Sequence, residues 1–186
     1  MSDQDPHLFF LKRIPSETTE QQVWTQLKEF FSPKAPPALS RETTGALVLP
    51  PPWFLSVSHT EDTLGIALSH FPIGIDLLHT KRASTAHRVR FRISQPSDHI
   101  LIQHLNPLES ALFFTGKEAC VKAHSIQHHR PVLLNEVSLI APPSNLATYF
   151  QVDSERYIVN SHFFNKDLIV SIARLESAPQ RPLNFP

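Results

Sequence analysis

Asn106-Pro107-Leu108-Glu109 can begin a helix and suits little else. The asparagine side chain can accept from the N–H groups left open at a helix start. Proline presets the first helical φ without losing a hydrogen bond, and a glutamate at the third position can reach back to the cap. This pattern predicts a helix from Pro107 to about residue 125. After it, residues 137–140, 148–152, 156–160 and 168–173 read as strands. Before it, residues 8–11 form a short apolar strand, and Ser16 is placed to cap a helix ending near residue 31. Val23, Trp24, Leu27, Phe30 and Phe31 recur there at helical spacing and define one buried face. Residues 32–52 carry Pro36-Pro37 and Pro50-Pro51-Pro52 and read as a loop or docking arm rather than a packed element. Strands follow at 54–58, 64–69 and 73–77, separated by polar turns, and are expected to form one small antiparallel sheet. The plan is α+β.

Composition narrows the function classes. A chain of 186 residues with 41% apolar content can build a core, as one domain or two small fused halves. Seventeen basic and seventeen acidic side chains balance, which argues against a protein that coats nucleic acid along its whole surface. No apolar run approaches the roughly 20 residues of a membrane helix, and Met1-Ser2-Asp3-Gln4-Asp5 lacks a charged-then-apolar signal, so the cytoplasm is the expected compartment. The single cysteine, Cys120, excludes an internal disulfide framework and a four-cysteine zinc site. Among the eleven histidines, His128-His129 beside Arg130 reads as a solvated loop rather than a ligand pair, because no second pair lies at zinc-like spacing.

Two segments carry the chemistry. Ile73-Gly74-Ile75-Asp76 closes an apolar run on a lone acid, and Phe114-Thr115-Gly116-Lys117-Glu118-Ala119-Cys120-Val121-Lys122 lies on the long helix, where Lys117, Glu118 and Lys122 can line one edge. Two carboxylates that hold a metal against a phosphate would use such a pair. Each residue taken alone has a plain reading: Asp76 as a strand-end turn acid, Glu118 and Lys122 as an i, i+4 pair contributing about 0.3–0.5 kcal/mol. Ser58 and His59 would be turn residues. Cys120, two positions from Glu118, falls on another helix face, and Phe114 is core or a wall of the site.

Taken in order and spacing, Ser56-Val57-Ser58-His59-Thr60, Ile73-Gly74-Ile75-Asp76 and Phe114-Thr115-Gly116-Lys117-Glu118 with Lys122 resemble the 4′-phosphopantetheinyl transferase superfamily, in its larger, surfactin-synthetase-activating type. The match is good over residues 53–125, general in shape to about 173, and slight over the first fifty. The resemblance implies two pseudo-equivalent halves, each with a small antiparallel sheet and a long helix: a shortened N-terminal half at 1–72, a C-terminal half at 73–176 carrying the metal site, and a loose tail at 177–186. It implies transfer of the phosphopantetheine arm of coenzyme A to a serine of an apo acyl or peptidyl carrier protein, releasing adenosine 3′,5′-bisphosphate, by a monomer. Asp76 and Glu118 would hold Mg²⁺ on the pyrophosphate. Glu118, or a water it orients, would take the serine proton, and Lys122 would sit at the leaving phosphate. Lys117 would contact the phosphates, and Ser58 and His59 the 3′-phosphate.

The chain departs from that pattern in one place that matters. Many relatives carry a second acid two residues after the first, where this chain has Leu78, which cannot bind magnesium. Asp98 is the only further acid nearby and stays outside the metal set. Lys12, Arg13, Lys34 and Arg41 lie where coenzyme A contacts are usual but have no motif behind them. No acid lies between Asp76 and Asp98, whereas Lys81, Arg82, Arg88, Arg90 and Arg92 do. Arg88, Arg90 and Arg92 would share a face if extended, and could receive the acidic helix of a carrier protein. The alternatives are a non-catalytic relative that binds coenzyme A or a carrier protein, and a basic-patch RNA binder, for which Phe91 is the only aromatic support. Neither a membrane nor nucleic acid is the expected partner.

Overall fold

A computed structural model describes residues 6–42, 45–144 and 146–178. The fold is α+β, as the sequence predicts. Its strands are β1 (His7–Lys12), β2 (Ser40–Arg41), β3 (Leu47–Val48), β4 (Phe54–His59), β5 (Thr63–Ser69), β6 (Ile73–His79), β7 (Ser138–Ser144), β8 (Ala147–Val152), β9 (Glu155–Phe164) and β10 (Leu168–Leu175). Its helices are α1 (Thr19–Phe31), α2 (Ala83–Val89), α3 (His99–Ile102) and α4 (Pro107–His128). Most of the tail assigned to 177–186 lies outside the described residues.

The cap of α4 is as its sequence requires: the Asn106 side chain accepts from the Glu109 N–H, and the Glu109 carboxylate accepts from the Asn106 N–H. The helix runs three residues past the expected end, to a left-handed His129. At α1 the cap is Thr18 with Gln21, not Ser16, because that pair can satisfy two end groups reciprocally and a lone serine only one.

Two larger sheets hold all the strands but β2 and β3, which pair with each other. β1, β5 and β4 form a three-stranded antiparallel sheet in the order β1-β5-β4, and a five-stranded sheet runs β6-β10-β9-β8-β7. The expected single sheet over 54–77 is therefore corrected: β6 leaves its hairpin neighbours and pairs with β10, with Asp76 opposite Ser171. The reason lies in its side chains. Ile73, Ile75 and Leu77 pack in one buried layer with Ala67 of β5 and with Leu168, Val170 and Ile172 of β10, while Gly74, Asp76 and Leu78 point the other way, toward α4. A strand buried on both faces needs a cover on each, and at the edge of the five-stranded sheet β6 has β5 on one side and α4 on the other.

The other face of the three-stranded sheet packs on α1, where Val23 and Leu27 are fully buried against Leu55, Leu64, Ile66 and Leu68. Leu47 and Leu49 join the same cluster. The proline-rich segment is thus not wholly a free arm: it contributes a short β2–β3 ribbon and two core side chains. Its prolines shorten the strands without keeping its leucines out of the core.

No main-chain ladder joins β4 to β6; serine hydroxyls do. The Ile75 N–H donates to Ser56 Oγ at 3.0 Å and the Leu77 N–H to Ser58 Oγ at 3.2 Å. Each hydroxyl takes the place of a carbonyl at a buried strand edge that would otherwise carry unpaired donors.

Candidate functional site

β6 and α4 approach more closely than side chains ordinarily allow. A Cβ added at Gly74 would lie 1.9 Å from the Ala119 carbonyl oxygen and 2.7 Å from the Ala123 nitrogen. Glycine on the strand and alanines on the helix bring the two backbones together, and this closeness sets what the neighbouring positions can reach. Asp76, next on the same strand face, meets Lys122 of α4, with Nζ to Oδ1 at 2.8 Å. Lys122 also donates to the Ile75 carbonyl at 3.0 Å, and Ser58 Oγ donates to the same Asp76 oxygen at 2.8 Å.

Glu118 lies one helical turn before Lys122. Burial pushes its pKa up, the Asp76 charge adds to the rise, and Lys122 opposes it. Among the described residues it makes no side-chain hydrogen bond, so a partly buried carboxylate is left facing a second carboxylate with Lys122 as the shared cation. The structure thus brings Asp76, Glu118 and Lys122 together.

Lys122 also lines a cavity of about 570 Å³ between β4, the β2–β3 ribbon and the second half of α4. His59 and Arg41 line it as well, with Leu47, Val121, Ile126 and Pro131 as its apolar wall. His59 is exposed, and its Nδ1 lies 3.5 Å from the Arg13 guanidinium, which also donates to the Thr60 carbonyl at 3.1 Å. Arg41 donates to the Gly45 carbonyl at 2.6 Å and pairs with Glu20 at 3.1 Å. A cleft lined by apolar side chains together with Arg41, His59 and Lys122 suits a ligand that has an apolar or aromatic body and anionic groups.

Two residues named with this site lie differently. Ser58 is buried and its hydroxyl already donates to Asp76 and accepts from Leu77, so it orients the acid. Lys117 has no exposed surface and sits in a separate cage, donating to the carbonyls of Ile93 at 3.0 Å and Leu134 at 3.1 Å, with Asp98 Oδ2 at 3.4 Å. Desolvation, only partly offset by Asp98, lowers its pKa to about 8. One residue along a helix is a turn of about 100°, enough to separate Lys117 from Glu118. Asp98, also buried, accepts the Leu139 N–H at 3.1 Å and so ties this cage to β7.

Leu78 packs with Ala83, Ala86, Leu112 and Ile169, and Phe114 flanks them. Position 78 is thus part of a buried apolar cluster and offers no carboxylate beside Asp76. Cys120 is fully buried in the main core, where desolvation pushes its thiol pKa well up.

The basic segment after Asp76 is not extended: Lys81, Arg82 and Arg88 lie in helical turns up to the end of α2 at Val89, and Arg90 and Arg92 in the turn that follows. Arg90 is held by the carbonyls of His87 at 2.6 Å and Ile102 at 3.2 Å and lies over the Phe91 ring, while Arg88 and Arg92 remain exposed. The loop expected at 128–130 is also corrected: His128 is the last residue of α4, and its Nε2 lies 2.8 Å from Glu155. No spacing signal announces that contact, because Glu155 opens β9, 27 residues further along the chain. No helix among the described residues is long and apolar enough to cross a membrane. The chain matches no family model and no curated protein.

Proposed function

We propose that the protein is a 4′-phosphopantetheinyl transferase, moving the arm of coenzyme A to a serine of an apo carrier protein, with the N-terminal and C-terminal sheets as its two pseudo-equivalent halves. The observation that carries the proposal is the meeting of Asp76, Glu118 and Lys122 beside a cavity that also holds Arg41 and His59. The residue types, their order and the cleft agree with the sequence resemblance.

A hard cation fits the pair of acids. Both donors are carboxylates, Glu118 is desolvated beside another negative charge, and Mg²⁺ commonly takes one or two protein carboxylates and completes its shell with waters and phosphate. Asp76 and Glu118 would hold it, and it would supply charge neutralisation at the pyrophosphate. The remaining roles belong to this chain's residues. Lys122, bound to Asp76 in the free protein, moves to a phosphate oxygen when coenzyme A enters. Arg41 and His59 hold the 3′-phosphate end, while Leu47 and Ile126 cover the apolar parts. Glu118, or a water it orients, accepts the proton of the incoming serine. Ser58 fixes the Asp76 carboxylate through its 2.8 Å hydrogen bond. The carrier docks near Arg88 and Arg92, with Arg90 already engaged by its own main chain.

A second reading has its own observation. With Leu78 in the apolar cluster and Lys122 on Asp76, the chain can act as a non-catalytic binder of coenzyme A or a carrier protein. Incubation with coenzyme A, Mg²⁺ and a panel of apo carriers, read by intact mass, separates the two. The proposal expects one phosphopantetheine per carrier, dependent on Mg²⁺ and lost in Asp76→Asn and Glu118→Gln. Coenzyme A binding with no mass gain on any carrier would establish the second reading.

A further inference from the structure

The C-terminal end of α4 gathers a second set of ionisable side chains that the proposed reaction does not use. His124 and His128, one turn apart, face Glu155, the first residue of β9. One ring nitrogen of each histidine and one Glu155 carboxylate oxygen all lie within 4.8 Å of one another. Glu155 Oε2 is 3.3 Å from His124 Nδ1 and 2.8 Å from His128 Nε2. Donors on a tetrahedral ion with bonds of roughly 2.0–2.1 Å stand about 3.3 Å apart, so the first separation fits and the second needs to open by about 0.5 Å. The side chain free to move, His128, is 37% exposed.

In the free protein His124 Nε2 lies 3.3 Å from the Arg130 guanidinium and 3.5 Å from Asp153 Oδ2, and Nδ1 lies 3.0 Å from the Tyr157 hydroxyl. Ligation through Nδ1 therefore displaces the Tyr157 contact and shifts the ring proton to Nε2, where Asp153 can accept it. Tyr157 donates to Glu155 Oε2 at 2.8 Å and Gln127 to Oε1 at 2.9 Å, which fixes the carboxylate. Arg130, the nearby cation, is already bound to Asp153. His124 is 1% exposed, so it is prepositioned, whereas His128 stays open to solvent and leaves a route for the ion.

We propose that His124, His128 and Glu155 bind one divalent transition ion of the zinc class, fastening the end of α4 to the start of β9. Two imidazoles and one carboxylate prefer Zn²⁺ or Co²⁺ to Mg²⁺, which favours oxygen donors alone. The site is therefore distinct in chemistry from the Asp76–Glu118 pair and independent of the reaction proposed there. The residue after His128 contacts Glu42 at 2.9 Å, and Glu42, Pro131 and Val132 all line the cavity, so the ion would stiffen one of its walls.

Chelator-treated full-length protein titrated with Co²⁺, followed by visible absorption and by thermal unfolding with Zn²⁺, tests this. The expected result is one equivalent of Co²⁺ with a tetrahedral spectrum that millimolar Mg²⁺ does not displace. The unfolding midpoint should rise by about 5–10 °C at hundredfold excess Zn²⁺ over Kd. His128→Ala and Glu155→Gln each weaken binding at least tenfold, and His129→Ala, a neighbouring histidine outside the set, changes it less than twofold. Absence of a saturable one-equivalent signal, or binding in His128→Ala within twofold of the parent, would overturn the proposal.

Discussion

Gly74→Ala is the most direct test of how the fold makes the site. The new methyl would sit 1.9 Å from the Ala119 carbonyl oxygen, and no ordinary contact of that kind is shorter than 3.0 Å, so strand and helix must separate by at least about 1 Å. Both obstructing atoms are main chain, so no rotamer change relieves the clash. The cost belongs at the upper end of the overpacking range, about 3 kcal/mol, which for a chain of this size lowers the unfolding midpoint by about 6–12 °C. The same movement lengthens the 2.8 Å Lys122–Asp76 contact, so transfer activity falls by more than the unfolded fraction explains. Gly65→Ala is the control: its methyl would meet only side-chain carbons of Leu77 and Ile75, at 3.0–3.3 Å. Those methyls can turn aside, and the gain of about 0.4–1 kcal/mol from a stiffer unfolded chain offsets much of the strain. Far-UV circular dichroism melts of both variants, with the carrier mass assay alongside, give the comparison. A Gly74→Ala midpoint within about 1 °C of the parent, or an equal loss in Gly65→Ala, would refute the reasoning from close approach.

Three further substitutions probe separate groups. Because the folded pKa of Glu118 is raised, the folded state holds its proton to higher pH than the unfolded state, so this group's contribution to stability declines as pH rises above 4.5. Glu118→Gln, neutral throughout, is expected to melt above the parent near neutral pH in chelator, with a smaller gap at pH 4.5, while transferring nothing; a parent that melts higher near neutral pH would remove the charge penalty. Lys117→Met leaves Asp98 buried without its cation and should cost about 3–5 kcal/mol, with the KM for coenzyme A unchanged in the protein that folds. A raised KM at unchanged stability would return Lys117 to a phosphate-binding role. Arg41→Ala should raise the KM for coenzyme A about 10–100-fold, the value of one charge-assisted hydrogen bond, and leave the melt nearly unchanged, since the Arg41–Glu20 pair is about half exposed. An unaltered KM would move the anion away from this side of the cavity.

Local rules made some of this protein readable from its sequence, and long-range placement hid the rest. The α4 cap was legible because asparagine, proline and glutamate act within one turn, and the strands because alternation and turn residues are also local. The sheet membership of β6 was not legible, since period-two burial on both faces says only that a strand is covered twice, not by what. The three arginines would share a face only if extended, and they are not: Arg88 lies in the last turn of α2, and Arg90 and Arg92 lie in the turn that follows it. Lys117 and Glu118 are neighbours in the motif, yet whether a helical lysine faces a cleft or a cage depends on where Asp98 and Leu134 fold back.

The contact between His128 and Glu155 shows the same limit from the other side: its two halves come from a helix end and the start of a strand, 27 residues apart. Gly74 joins the local and distant levels. In the sequence it is only a small residue in an apolar strand, but at its position the absence of a Cβ decides the β6–α4 distance. That distance decides whether Asp76 can reach Lys122 and feel the charge of Glu118. The three polar residues would supply the proposed chemistry, and the glycine two positions before Asp76 sets the spacing at which they meet. A chain with the same acids and lysine but a larger residue at position 74 would keep the motif and lose the geometry.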